Sequence, residues 1–392
     1  MLFDMVSKRM GLIPPSGTIE MFEKARNLER IGRRVLHLEV GEPDFDTPEH
    51  IKRAAYEAMK RGFTHYTSSR GIPELREAIS EYVREWKGFE ADPNREIIVT
   101  PGTKHAIYCA CMALLNPGDE VILLSPIWTT FFACVKAAEA IPVELHAPWG
   151  CSFDEEELKE KISDRTRMII VNSPNNPTGG GLDAECVKAV ADLAEDHGIT
   201  VLSDEIYSRI VYDGFRQVSP ASLIGVEHTV TVDGFSKTYA MTGWRLGYAI
   251  ASREVVDAMV KLQQTTTTCP ASFVQAAAVE ALRSSQECVE EMVREYDRRR
   301  RMFVERLSRI PGIRCEKPKG AFYAFPDVSE AGKPSRQIVM ELLETKGVCT
   351  TPGSVFGKFG EGHIRISYAT SMETLSEALD RIEEYFEGLM SR

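Results

Sequence analysis

The chain has 392 residues, 43% of them hydrophobic, and 47 Lys and Arg against 58 Asp and Glu, for a formal charge of −11. That length suits about two domains, and the apolar content excludes global disorder. The acidic balance argues against nucleic acid or an anionic membrane as the main partner.

The opening segment, "MLFDMVSKRMGLIPPSG", has no long apolar core and no small-residue cleavage pattern. No signal peptide is expected from it. No apolar run approaches the roughly 20 residues of a membrane helix. The nine cysteines are an odd number and none has CxxC spacing. They imply a reduced, cytoplasmic chain without a disulfide framework or a metal site. Cys109 and Cys111 fall in an apolar helical pattern, as buried free thiols do.

Along the chain, short β-branched runs alternate with helical patterns. The runs are "EIIVT" (96–100), "EVILLS" (120–125), "RMIIVNS" (167–173), "ITVLSDE" (199–205), "HTVTV" (228–232) and "LGYAIA" (246–251). They are nearly continuous, which predicts strands buried on both faces. Helix-like segments at 103–115 and 183–197 separate some of them. This rhythm predicts an α/β fold with a mostly parallel, doubly wound sheet. Polar residues stand where runs end: Thr100, Ser125, Asn172, Asp204, then Lys237. In such sheets the ligand site lies beyond the carboxyl ends of the strands.

Residues 271–310 contain no Gly or Pro, which predicts a long helix with room for one break. It leads into a second domain with strands at 321–325 and 363–369 and helices at 335–346 and 372–389. The run Arg298–Arg301 on the long helix reads as a solvated face or an ion-pair site.

"DGFSKTYAMTGWRLGY" (233–248) places Lys237 among small and apolar residues, with Arg245 following. A lysine is a nucleophile only when neutral, and burial beside positive charge favours that form. A snorkelling surface lysine or a phosphate-binding lysine are the other readings, but "GFSKT" lacks the full P-loop spacing.

"GFSKTYAMTGWRLG" (234–247) resembles the pyridoxal-phosphate attachment segment of class I/II aminotransferases of fold type I. "GEPDFDTP" (41–48), "NSPNNPTG" (172–179), "SDEIY" (203–207) and "RISYAT" (365–370) are similar to further segments of that family, in the same order. The subgroup most resembled contains the bacterial and archaeal aspartate aminotransferases. The resemblance implies a large cofactor-binding domain over 48–296, and an N-terminal arm with a small α+β domain over 1–47 and 297–392.

It also implies roles. Lys237 would carry pyridoxal phosphate as a Schiff base, then move the substrate proton. Asp204 would keep the ring nitrogen protonated, and Tyr207 and Asn176 would reach the ring hydroxyl. The amides of Gly102, Thr103 and Lys104 and the guanidinium of Arg245 would hold the phosphate, with Tyr66 from a neighbouring subunit. Many relatives have serine three residues before the lysine. This chain has Gly234 there, so Ser236 is the candidate hydroxyl. Trp128 would stack on the ring. Arg365, with Gly41, Trp128 and Asn176, would form the substrate site, Arg365 taking the α-carboxylate. Lys104 and the segment Ser16–Thr18 are candidates for reading an acidic side chain.

The implied activity is amino transfer between an L-amino acid and a 2-oxo acid by a homodimer with composite sites. Aspartate or glutamate and 2-oxoglutarate lead as substrates. Aromatic, alanine-like or kynurenine-like donors remain open, as does a β-lyase on the same scaffold. A DNA-binding regulator is disfavoured by the acidic charge and the short stretch before "GEPDF".

Overall fold

Burial dictates where the apolar runs go. The computed structural model describes residues 6–391; the first five residues of the N-terminal segment lie outside them. In chain order the strands are β1 (Leu36–His37), β2 (Ile97–Thr100), β3 (Glu120–Ser125), β4 (Ile141–His146), β5 (Thr166–Asn172), β6 (Thr200–Asp204), β7 (Thr229–Gly234), β8 (Gly247–Ile250), β9 (Tyr323–Ala324), β10 (Val348–Cys349), β11 (Thr351–Pro352) and β12 (Ile364–Ser367).

Seven of them form one sheet in the order β2-β8-β7-β6-β5-β3-β4. β8 runs antiparallel to both its neighbours, and the other pairings are parallel. Every residue of β2, β3, β7 and β8 is buried, which is why their sequences are continuous apolar runs. β4 was not among the expected strands. It lies at the sheet edge, with Ile141 and His146 exposed, so its sequence lacks that signature.

Helices Thr103–Leu114 and Ala184–His197 pack against this sheet. The second is bounded by Asp183, whose side chain accepts from the Cys186 amide, and by Gly198 in the left-handed conformation. The parallel register places Asn172, Asp204 and Val232 side by side. β5 and β6 therefore end at one level and β7 runs two residues further, to Gly234; a ligand site is expected beyond these ends.

The stretch without Gly or Pro is two helices, Ser272–Arg283 and Glu287–Leu307. Val289 packs in a core with the sheet residues Val99 and Tyr248. Met292, Tyr296, Phe303 and Leu307 pack in another core with Leu38, Phe322, Ile366 and Leu379. The expected domain boundary at 296/297 thus falls inside this helix. Its arginine run makes ion pairs. Fully buried Arg300 meets Asp213 and Asp297, and Arg299 meets Asp44 and Glu295. Arg298 and Arg301 make exposed pairs with Glu295 and Asp297.

β12 is the middle strand of an antiparallel sheet, β11-β12-β9. β1 pairs with β10, and the Leu38 carbonyl accepts from the Ser367 amide at 2.8 Å. The segment after β1 is thereby held against β12. Among the described residues no helix is long and apolar enough to cross a membrane.

Candidate active site

A cavity of about 350 Å³ opens beyond the ends of β5, β6 and β7 and is closed on the other side by residues of β9 and β12. Lys237, Asp204 and Tyr207 all face it. Lys237 stands on a single helical turn, Phe235–Thr238, directly after β7. Its Nζ donates to the Gly41 carbonyl at 2.5 Å. Burial lowers the amine to about 8; Glu42 opposes this, and Arg365 and Arg245 add to it.

Asp204 ends β6 and is buried. Burial pushes its carboxyl up to about 7. The Ile206 amide, donating at 3.2 Å, pulls it down, while Asp233 and Glu205 push it further up. Asn172 ties this strand end to the next loop. It donates to the Asp204 carbonyl at 3.1 Å, and its Oδ1 accepts from the Asn176 amide at 2.9 Å.

Arg365, on β12, is buried. It donates to Asn176 Oδ1 at 3.0 Å, to Thr351 Oγ1 at 3.4 Å and to the Glu39 carbonyl. Its Nε has no hydrogen-bond partner among the described residues. Among the described residues no carboxylate forms an ion pair with it. An unpaired buried guanidinium is costly and matches a planar anion. Tyr207 and Tyr323 share a hydroxyl–hydroxyl hydrogen bond of 2.8 Å beside it. Burial pushes both phenols up. A Cβ at Gly41 would stand 2.2 Å from the Tyr323 hydroxyl, so a side chain there would push the Tyr323 ring out of place.

At the other end, Gly102 precedes helix Thr103–Leu114 with φ of +85°. A Cβ there would lie 2.5 Å from Arg245 Nη2, so guanidinium and helix amino end share one concavity. Thr103, Ser236 and Arg245 line the cavity. Residue 234 has no room for a side chain, since its Cβ would be 2.8 Å from Gly247 Cα. Lys104 Nζ lies 5.1 Å from the centre of the Trp128 ring. Burial, then Arg245, lowers the Lys104 amine. Ser16 and Thr18 line the same cavity.

Tyr66 stands apart from these residues. It is 85% exposed and does not line the cavity. Tyr323 is a cavity residue that its sequence context does not announce. Within "AFYAF" it looks like one more core aromatic, and only the fold brings its hydroxyl to Tyr207.

The family model described as aminotransferase class I and II matches residues 33–382. The chain belongs to the class I and II aminotransferases. An aspartate aminotransferase of Pyrococcus horikoshii is 46% identical, over 98% of this chain and 97% of its own. An aromatic-amino-acid aminotransferase of Thermococcus litoralis is 43% identical, over 97% of each chain. The structure of aspartate aminotransferase from Thermus thermophilus with maleate superposes with a TM-score of 0.92 at 42% identity, over 97% of this chain and 99% of that one. This aminotransferase has the α/β fold type I of its relatives, and it moves an amino group between an L-amino acid and a 2-oxo acid.

Proposed function

We propose that this aminotransferase works with pyridoxal 5'-phosphate in a ping-pong cycle through the pyridoxamine form, as a cytoplasmic homodimer. Its leading substrates are aspartate or glutamate and 2-oxoglutarate. The carrying observation is one cavity holding an amine lowered to about 8 and a carboxyl raised to about 7. The other groups fit the cofactor as well. A concavity under Gly102 and Arg245 suits a phosphate, and the unpartnered Arg365 Nε suits a carboxylate.

When bound, the cofactor supplies an electron sink for charge left on the substrate α-carbon. The chain's own residues do the rest. Lys237 would hold the cofactor, and its neutral amine would accept the substrate α-proton and return it. Asp204 would hold the ring nitrogen in its protonated form, a cation that would offset the burial penalty on its carboxylate. Tyr207 and Asn176 address the ring hydroxyl, and Trp128 covers a ring face. Gly102, Thr103, Lys104, Ser236 and Arg245 address the phosphate, with Tyr66 coming from the partner. Arg365 takes the α-carboxylate, with Gly41, Trp128 and Asn176 shaping that pocket.

Lys104, Ser16 and Thr18 offer a cation and two hydroxyls to a second carboxylate. The maleate found with the Thermus relative, a dicarboxylate, supports this reading. A second reading, aromatic donors, is favoured by an adjoining cavity of about 520 Å³ lined by Ile13, Pro14, Pro15 and Tyr108. The aromatic-amino-acid relative supports it too.

Single-turnover spectra with the twenty amino acids separate the two. Charge-assisted hydrogen bonds contribute about 1.5–3 kcal/mol, so Lys104→Ala should lower kcat/KM for aspartate about 10–100-fold and spare phenylalanine. An unchanged aspartate reaction would remove Lys104 from the substrate site. Borohydride reduction should fix the cofactor to Lys237, as read by peptide mapping; a label on any other lysine would refute that attachment.

A further inference from the structure

A second constellation lies behind the cavity, on the far side of Asp204. Lys87, the last residue of helix Pro73–Lys87, buries its amine between two carboxylates. Its Nζ is 2.7 Å from Glu205 Oε2 and 2.8 Å from Asp233 Oδ2, and these side chains are 2%, 0% and 3% exposed. Burial works against the ammonium, but Asp233 and Glu205 outweigh it and hold the amine above the usual lysine range.

The two acids occupy telling positions. Glu205 follows Asp204, and Asp233 is followed by the Gly234–Lys237 turn. The backbone bond from the Glu205 amide to the Val232 carbonyl, 2.8 Å, joins the same two strand ends. Ser203 and Ser219 donate to Glu205 Oε1 at 2.9 and 2.7 Å. Ser208 and Tyr248 donate to Asp233 Oδ2, each at 3.4 Å. Tyr82, with Arg209 beside it, faces the cluster from outside. Lys237, Arg365, Arg245 and Lys104 are the cations lining the cavity side.

We propose that Lys87 is a positioning residue for the cofactor, its charge offsetting the acids beside Asp204 so that Asp204 stays anionic toward the ring nitrogen. A buried ion triad without catalytic purpose is weakly justified by stability alone, because desolvation cancels much of its attraction. Here one cation balances two anions, so removing it leaves two unpaired carboxylates next to a third. The effect on Asp204 runs through charge at short range in a poorly screened interior. Burial, Asp233 and Glu205 all push the Asp204 carboxyl up, and Lys87 is the opposing cation on that side.

This inference rests on the pyridoxal phosphate reading, and its test keeps the two apart. Cofactor-free wild type, Lys87→Met, Glu205→Gln and the double variant would be titrated with pyridoxal phosphate. The readouts are the dissociation constant and the pH midpoint of the bound cofactor's visible absorption band. Removing a buried positive charge favours the protonated form of every neighbour. Lys87→Met should therefore raise the midpoint by about one pH unit and weaken binding about tenfold. Glu205→Gln should move the midpoint down, since Ser203 and Ser219 can turn to accept from the new amide. The double variant should return toward wild type. Lys87→Met with wild-type values, or both single variants moving the midpoint the same way, would overturn the inference. If Lys87→Met fails to fold, the direction given by Glu205→Gln decides. Wild type that takes up no pyridoxal phosphate would instead sink the cofactor reading.

Discussion

Lys237 and Asp204 are displaced in opposite directions by the same cause, loss of water around a charge. Their effects on stability therefore have opposite slopes. In cofactor-free protein Asp204 titrates near 7, against an ordinary 3.8. The native state binds the extra proton between those values, so this residue's contribution falls as pH rises from about 4 to about 7. For Lys237, with about 8 against 10.5, the unfolded state binds the extra proton, and stability rises with pH across that window. Asp204→Asn should remove the first slope. Cofactor-free variant and parent should match at low pH and diverge through pH 7, the variant ending more stable by on the order of a few kcal/mol. Thermal melts from pH 4 to 8 would read this; parallel curves would mean that Asp204 is already ionised or paired. For catalysis, Lys237→Ala should retain some cofactor, more weakly for want of the covalent bond, yet lose at least 10²–10⁴-fold in kcat, the usual share of a general base. Ordinary turnover without added amine would exclude Lys237 as the proton carrier.

At the scale of elements, the end of the cavity proposed for the phosphate depends on how a strand turns into a helix. Gly102 combines a positive φ with contact against Arg245. Gly102→Ala should strain the turn and displace the guanidinium together, costing about 1–3 kcal/mol. Pyridoxal phosphate should bind more weakly to this variant than free pyridoxal loses affinity; equal losses would argue that Gly102 serves the turn alone. Much of this architecture is legible in sequence, because buried strands are written as unbroken apolar runs, and of their polar ends Asn172, Asp204 and Lys237 line the cavity while Thr100 and Ser125 do not. What is not legible follows from physics. β4 is an edge strand with mixed exposure, so no run announces it. Tyr323 is indistinguishable from a core aromatic until β9 is paired with β12. Lys87, a lysine in the last turn of a helix, reads as an ordinary partner for the helix dipole. Its acids, Glu205 and Asp233, lie more than a hundred residues away in the chain, so only the packed fold discloses them.

At the scale of the whole molecule, one chain gathers the proposed site residues in or beside one cavity, with Tyr66 the exception. Tyr66 is 85% exposed, beyond reach of the cavity described for its own chain. An exposed tyrosine of that size is ordinary at an interface, where its ring is covered and its hydroxyl finds a partner. If Tyr66 completes the neighbour's phosphate site, its loss is felt across the dimer and not within the chain that lacks it. Tyr66→Phe should then weaken pyridoxal phosphate binding by about the 0.5–1.5 kcal/mol of one hydrogen bond, or by up to about 3 kcal/mol if its partner is charged. Mixing subunits gives the sharper result. Unfolding and refolding Tyr66→Phe chains with Lys237→Ala chains creates hybrids in which one site has Lys237 from one chain and Tyr66 from the other. Those hybrids, separated by a charge tag, should bind cofactor at the Lys237 site with wild-type affinity and should turn over. If the Lys237 site of the hybrid stays as weak as the Tyr66→Phe homodimer, the tyrosine acts within its own chain and the composite site is wrong. Hybrids that never form would show that the chains do not associate, removing the dimer and the role of Tyr66 together.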